Sequence, residues 1–71
     1  MTGEEVLEMF AEKYNVSEID IISRRRGANV VNARKEMSRF LKDRGWNYSK
    51  IGRLMNKHHS SIMYYLGDIQ K

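Results

Sequence analysis

Apolar residues recur at intervals of three and four along almost the whole of this 71-residue chain, and no proline interrupts them. That spacing gathers side chains onto one face of an α-helix, whereas a half-buried strand needs strict alternation. The two β-branched clusters, Ile19–Ile22 and Val30–Val31, do not alternate. An all-α domain is therefore expected. A chain this short buries only about 60% of its unfolded surface, so its short helices must share one small core.

Five helical segments can be traced. The first is predicted over about 3–14, with Thr2 and Glu5 as a T-x-x-E capping box and Val6, Leu7, Phe10 and Tyr14 as its stripe. Asn15 is its expected stop. The second spans about 18–23, capped by Ser17, with Val16 stapling onto Ile21. Arg24-Arg25-Arg26-Gly27 breaks the pattern and reads as a basic loop over about 23–29. The third spans about 30–44. Val30, Ala33, Met37, Phe40 and Leu41 form its inner face, Arg34, Lys35, Arg39 and Lys42 lie off that face, and Gly45 suits the position after its end. The fourth covers 48–55, capped by Asn47, with Trp46 stapling onto Ile51, and Ile51, Leu54 and Met55 pointing inward. Gly52 costs about 1 kcal/mol in a helix interior, which implies close approach by a second helix. The fifth is predicted over about 59–70, burying Ile62, Tyr65, Leu66 and Ile69 and turning Ser60, Tyr64, Gly67 and Asp68 outward.

Charge is unevenly distributed. Residues 1–20 carry six carboxylates against Lys13, a net of −5. Residues 21–71 carry twelve Lys and Arg against Glu36, Asp43 and Asp68, a net of +9. The overall +4 is a cancellation, and the basic part suits a polyanionic partner. Absence of cysteine removes disulfides and thiolate chemistry and fits a reducing compartment. The acidic start is not that of a signal peptide, and no apolar run approaches the length of a membrane span. The expected location is the cytoplasm, at the nucleoid. Neither a phosphate-binding G-x-x-x-x-G-K-[ST] loop nor a catalytic Ser/His/Asp set is apparent, so no enzyme, cofactor or small-molecule substrate is expected.

The fourth and fifth segments are short, joined by about three residues and preceded by a longer helix. That is the outline of a helix-turn-helix over about 47–70, whose second helix enters the major groove and reads bases with its N-terminal residues. Here those residues are His58, His59, Ser60 and Ser61. Helix capping accounts for one or two of four consecutive polar side chains; base reading accounts for the set. Adjacent histidines diverge by about 100° on a helix and have no Cys or third His to complete a metal site. The cluster Arg24-Arg25-Arg26 fits insertion into a narrow minor groove, with Arg24 and Arg25 expected at bases and Arg26 at a phosphate. Arg34, Lys42, Lys50, Arg53, Lys57 and Tyr64 are candidates for phosphate contacts. Trp46, Tyr48 and Tyr65 read as core or stapling residues rather than stacking platforms, with Tyr48 also placed to touch the DNA backbone or a thymine methyl. Two other readings remain: the acidic first helix as a dock for a basic protein, and RNA binding by the basic face.

These residues resemble a known family. From Phe10 to Lys71 the chain is similar to the C-terminal duplex-binding domain, domain IV, of the bacterial replication initiator DnaA. The resemblance lies in Ala11–Val16, in Ile21-Ile22-Ser23-Arg24-Arg25-Arg26 against the family's L-L-S-K-R-R, in Val31-x-x-Arg34, in Ile51-Gly52, and most specifically in His58-His59-Ser60-Ser61-Ile62 against D-H-[ST]-[TS]-V. It implies a Trp-repressor-like helical bundle that binds duplex sites of the DnaA-box type. His58, His59 and Ser60 would then read bases, one arginine of the loop would enter the minor groove, and Arg34, Lys42, Ser61 and Tyr64 would hold phosphates. The chain departs from the family at His58, where the signature has aspartate, at Ser49 in place of a proline, at serines in place of threonines, and in a turn one residue shorter. The family's ATPase module has no counterpart in these residues. The expected role is that of a stand-alone regulator of replication or transcription, a phage or mobile-element protein, or an excised fragment.

Overall fold

The computed structural model describes residues 2–68 and contains five helices: α1 (Gly3–Lys13), α2 (Glu18–Ile22), α3 (Ala28–Asp43), α4 (Tyr48–Met55) and α5 (His59–Tyr65). Side chains close most of their N-termini. The Thr2 hydroxyl accepts the Glu5 amide (3.2 Å) while the Glu5 carboxylate accepts the Thr2 amide (3.0 Å). Ser17 and Asp20 repeat this exchange at α2, and Asn47 accepts the Lys50 amide at 2.7 Å to start α4. These bonds satisfy amides that have no partner within a helix. Four helices are followed by a residue of left-handed backbone: Asn15, Gly45, Asn56 and Gly67.

One core joins all five helices. Val6, Leu7, Phe10 and Ala11 of α1 meet Ile21 of α2, Ala33, Met37 and Leu41 of α3, Ile51 and Met55 of α4, and Ile62 of α5. Phe40, Trp46, Leu54, Tyr65 and Leu66 seal its margin, half-buried. The aromatic rings of Phe10 and Phe40 meet edge to face at 5.5 Å, a favoured arrangement.

Two boundaries differ from expectation. Helix α3 begins at Ala28, two residues early, with Gly27 at its cap and no side-chain cap bond. Helix α5 ends at Tyr65 rather than near residue 70. Gly67 takes φ +74°, its amide donates to the Tyr64 carbonyl (3.0 Å), and the Asp68 amide donates to Met63 (2.9 Å). Those two bonds are a Schellman motif, which ends a helix at the glycine that supplies the left-handed turn. Gly67 thus terminates the helix instead of lying on its outer face, and the predicted burial of Ile69 lies outside the described residues.

Gly52 is needed for close packing, chiefly of the turn that leads into α5 and then of the His59 amide nitrogen that begins it, 3.5 Å from where a Cβ would stand. A Cβ there would stand 2.5 Å from the Lys57 carbonyl oxygen, in the turn that leads into α5. The Lys57 amide donates to the Gly52 carbonyl at 2.8 Å. This fixes the turn against α4 and so sets where α5 begins.

Candidate nucleic-acid interface

Position 34 lies four residues after Val30 and three before Met37, so α3 carries Arg34 onto its inner side. The residue is only 3% exposed. Its guanidinium Nε donates to the Ile21 carbonyl (2.8 Å), Nη1 to Arg25 (2.7 Å), and Nη2 to Asp20 (2.9 Å) and Ser23 (2.7 Å). The last carbonyls of a helix lack intrahelical donors and carry partial negative charge. Arg34 therefore closes the C-terminus of α2 and ties the following loop to α3. Four of a guanidinium's five N–H groups are committed to the chain itself, which leaves one for the phosphate expected of Arg34.

Lys57, in the turn before α5, reaches the same loop. Its Nζ donates to the Ser23 carbonyl and, at 3.4 Å, to Met55. Burial, with the Arg34 and Arg24 cations nearby, pulls its ammonium below the usual lysine range. Lys57 is thus a tether between turn and loop, and it lines the same groove. Arg24, Arg34 and Lys57 concentrate positive charge at this point.

The three loop arginines separate. The Arg25 Nε pairs with the Asp20 carboxylate at 3.3 Å, and its amide donates to the Ser23 hydroxyl at 3.2 Å. Arg24 and Arg26 border a surface groove on whose other side stand His58, Ser60, Ser61 and Tyr64. Arg34, Val31 and Tyr65 also line it, and no carboxylate among the described residues does. The sequence reading assigned Arg24 and Arg25 to bases and Arg26 to phosphate. Of the three, Arg24 and Arg26 line the groove, and Asp20 draws Arg25 aside.

Across the groove, His58 caps α5. Its ring Nδ1 accepts the Ser60 amide at 3.2 Å and lies 2.8 Å from the Ser60 hydroxyl oxygen. The exposed His59 ring packs against that of His58, with centroids 4.2 Å apart. Tyr64 is 58% exposed one turn further on. The expected quartet and Tyr64 therefore lie on one short segment, with all but His59 lining the groove.

The remaining predicted contacts lie elsewhere. Lys42 sits over the Tyr48 ring at 4.6 Å and Lys50 over Trp46 at 4.2 Å. Arg53 is exposed on α4. None of the three lines the groove. Tyr48 is engaged too: its hydroxyl donates to the Asp68 carboxylate at 2.5 Å. Sequence reasoning missed Val31 and Tyr65 as groove lining and Ser23 as the anchor of two cations. The spacing of Val30, Arg34, Met37 and Leu41 was the available signal for Arg34, and its charge masked it.

The family model described as the bacterial DnaA protein helix-turn-helix matches residues 3–69 of the chain. No curated protein and no solved structure matches it. No helix among the described residues is long and apolar enough to cross a membrane.

Proposed function

Because the chain belongs to the family of the bacterial DnaA helix-turn-helix, a DNA-binding domain, we propose that it is a sequence-specific reader of duplex DNA. In this reading residues 1–71 form a single domain. The start of α5 enters the major groove and the arginine loop the adjacent minor groove of a DnaA-box-like site. The observation that carries this reading is the groove itself: Arg24 and Arg26 on one side, His58, Ser60, Ser61 and Tyr64 on the other, and no carboxylate lining it among the described residues. Base contacts specify a sequence and phosphate contacts position the protein on it. His58, His59 and Ser60 take the first role in the major groove, and Arg26 with Arg24 takes it in the minor groove. Ser61 and Tyr64 hold phosphates beside the recognition helix, while Lys42, Lys50 and Arg53 meet the flanking backbone. In this reading the chain acts in the regulation of replication or transcription.

Selection of bound duplexes from a random pool tests this. A single enriched motif is expected. Equal affinity for random and selected duplexes contradicts it, and preference for structured RNA over duplex favours an RNA-binding role. A second reading rests on α1, where Glu4, Glu8 and Glu12 are all exposed at four-residue spacing and Met9 is 39% exposed beside them. That face fits a basic protein partner, and capture of a protein that survives nuclease treatment would support it.

A further inference from the structure

The His58 ring has one polar atom left to offer. Its Nδ1 accepts the Ser60 amide hydrogen. An amide nitrogen only donates, so Nδ1 carries no hydrogen, and a neutral imidazole then holds its single hydrogen on Nε2. The Ser60 hydroxyl, 2.8 Å from the same bare nitrogen, must likewise donate to it. The amide and hydroxyl of Ser60, sharing the one lone pair of Nδ1, thus agree on one tautomer. Nε2 makes no hydrogen bond among the described residues, His58 is exposed at the groove, and stacking on His59 holds the ring in place. The atom presented outward is an N–H donor.

We propose that His58 is a specificity-determining residue that selects an acceptor edge on the target duplex, guanine before any other base. This rests on the duplex-reading function above. In the major groove guanine presents the N7 and O6 acceptors and no donor, whereas cytosine presents the N4 donor. An Nε2–H group bonds to the first and meets the second donor to donor. Ser60, its hydroxyl hydrogen spent on Nδ1, offers only lone pairs and so suits a neighbouring donor such as adenine N6 or cytosine N4. Capping and recognition are therefore coupled: the amide that starts α5 also sets which hydrogen-bonding group residue 58 turns towards the base.

The test substitutes His58→Asp. Aspartate is among the best N-caps, so α5 keeps its start, but its carboxylate only accepts. Duplexes are selected from a random pool with the parent chain and with H58D, both checked for helix content by circular dichroism. The two selected duplexes then compete for each protein. Both chains are expected to enrich the same motif except at one base pair. There the parent takes guanine and H58D takes cytosine on the contacted strand, with a change in relative affinity on the order of tenfold. A role in capping alone would leave the selected base unchanged. Identical motifs from the two chains, or cytosine selected by the parent at the pair that H58D alters, overturn the proposal while leaving duplex reading intact. Failure of both chains to enrich any motif overturns duplex reading itself and this inference with it.

Discussion

Charges on the two sides of α3 are treated in opposite ways. Where α3 meets α1, the Glu36 carboxylate accepts from both the Lys13 ammonium and the Tyr14 hydroxyl, so cation and anion answer each other. Where α3 meets the arginine loop, Arg34 and Lys57 spend their donors on backbone carbonyls, and Arg24 and Arg26 stand beside them with no carboxylate among the described residues lining the groove. Neutral carbonyls satisfy a cation's hydrogens without cancelling its charge. The first side is electrostatically closed. The second keeps a positive field directed outward, as a surface that meets phosphate requires.

The sharpest way to break this contrast is at Arg34. Arg34→Met keeps the aliphatic stem but removes four hydrogen bonds, leaving the Ile21 and Arg25 carbonyls without a side-chain donor. Thermal or denaturant unfolding should show a loss of about 2–4 kcal/mol. Amide exchange should quicken at Ser23–Arg26 while α1 remains protected. A variant of parental stability would show that the buried guanidinium does not hold the loop.

A smaller effect separates the loop arginines from one another. Arg26→Ala should weaken binding to the selected duplex by about 1–3 kcal/mol, the range for a specific base contact. Arg25→Ala should cost much less, because Arg25 is turned towards Asp20. Isothermal titration of both variants checks the order, and equal losses would return Arg25 to the groove.

Most of the architecture is legible in the sequence because local rules govern it. The capping box of Thr2 and Glu5, the Asn47 cap and the three-and-four spacing place α1 and α4 within a residue of their observed limits. Helix α5 was overextended because Ile62, Leu66 and Ile69 keep helical spacing beyond Gly67, and periodicity alone does not reveal a left-handed turn. At the groove, the segment from His58 to Tyr64 is legible as consecutive polar side chains at a helix start. Arg34 is not legible from composition, since a buried arginine depends on carbonyls that only the fold brings together. The separation of Arg25 from Arg26 depends on Asp20 in the same way: one ion pair decides which arginine faces the groove.

The smallest effect belongs to the closed side of α3. Hydrogen bonds from Lys13 first, then Tyr14, hold the Glu36 carboxyl below its ordinary value. A carboxylate depressed by folding adds stability that is present above the ordinary carboxylate range and is lost as pH falls through its lowered value. Glu36→Gln should therefore lower Tm slightly at pH 7 and narrow the gap from the parent as the solution is made acidic. Because the pair is exposed, salt should weaken the effect. Duplex affinity should stay unchanged, since Glu36 does not line the groove. A loss of affinity in this variant would join the two sides that the contrast separates.

The most direct test of the central claim, that the cationic groove and not the acidic helix meets the duplex, is amide chemical-shift mapping as the selected duplex is added. The account predicts shifts concentrated at Ser23–Gly27 and His58–Tyr64, on both borders of the groove, with Glu4–Glu12 of α1 unmoved. Shifts confined to one border, or centred on α1, would contradict it.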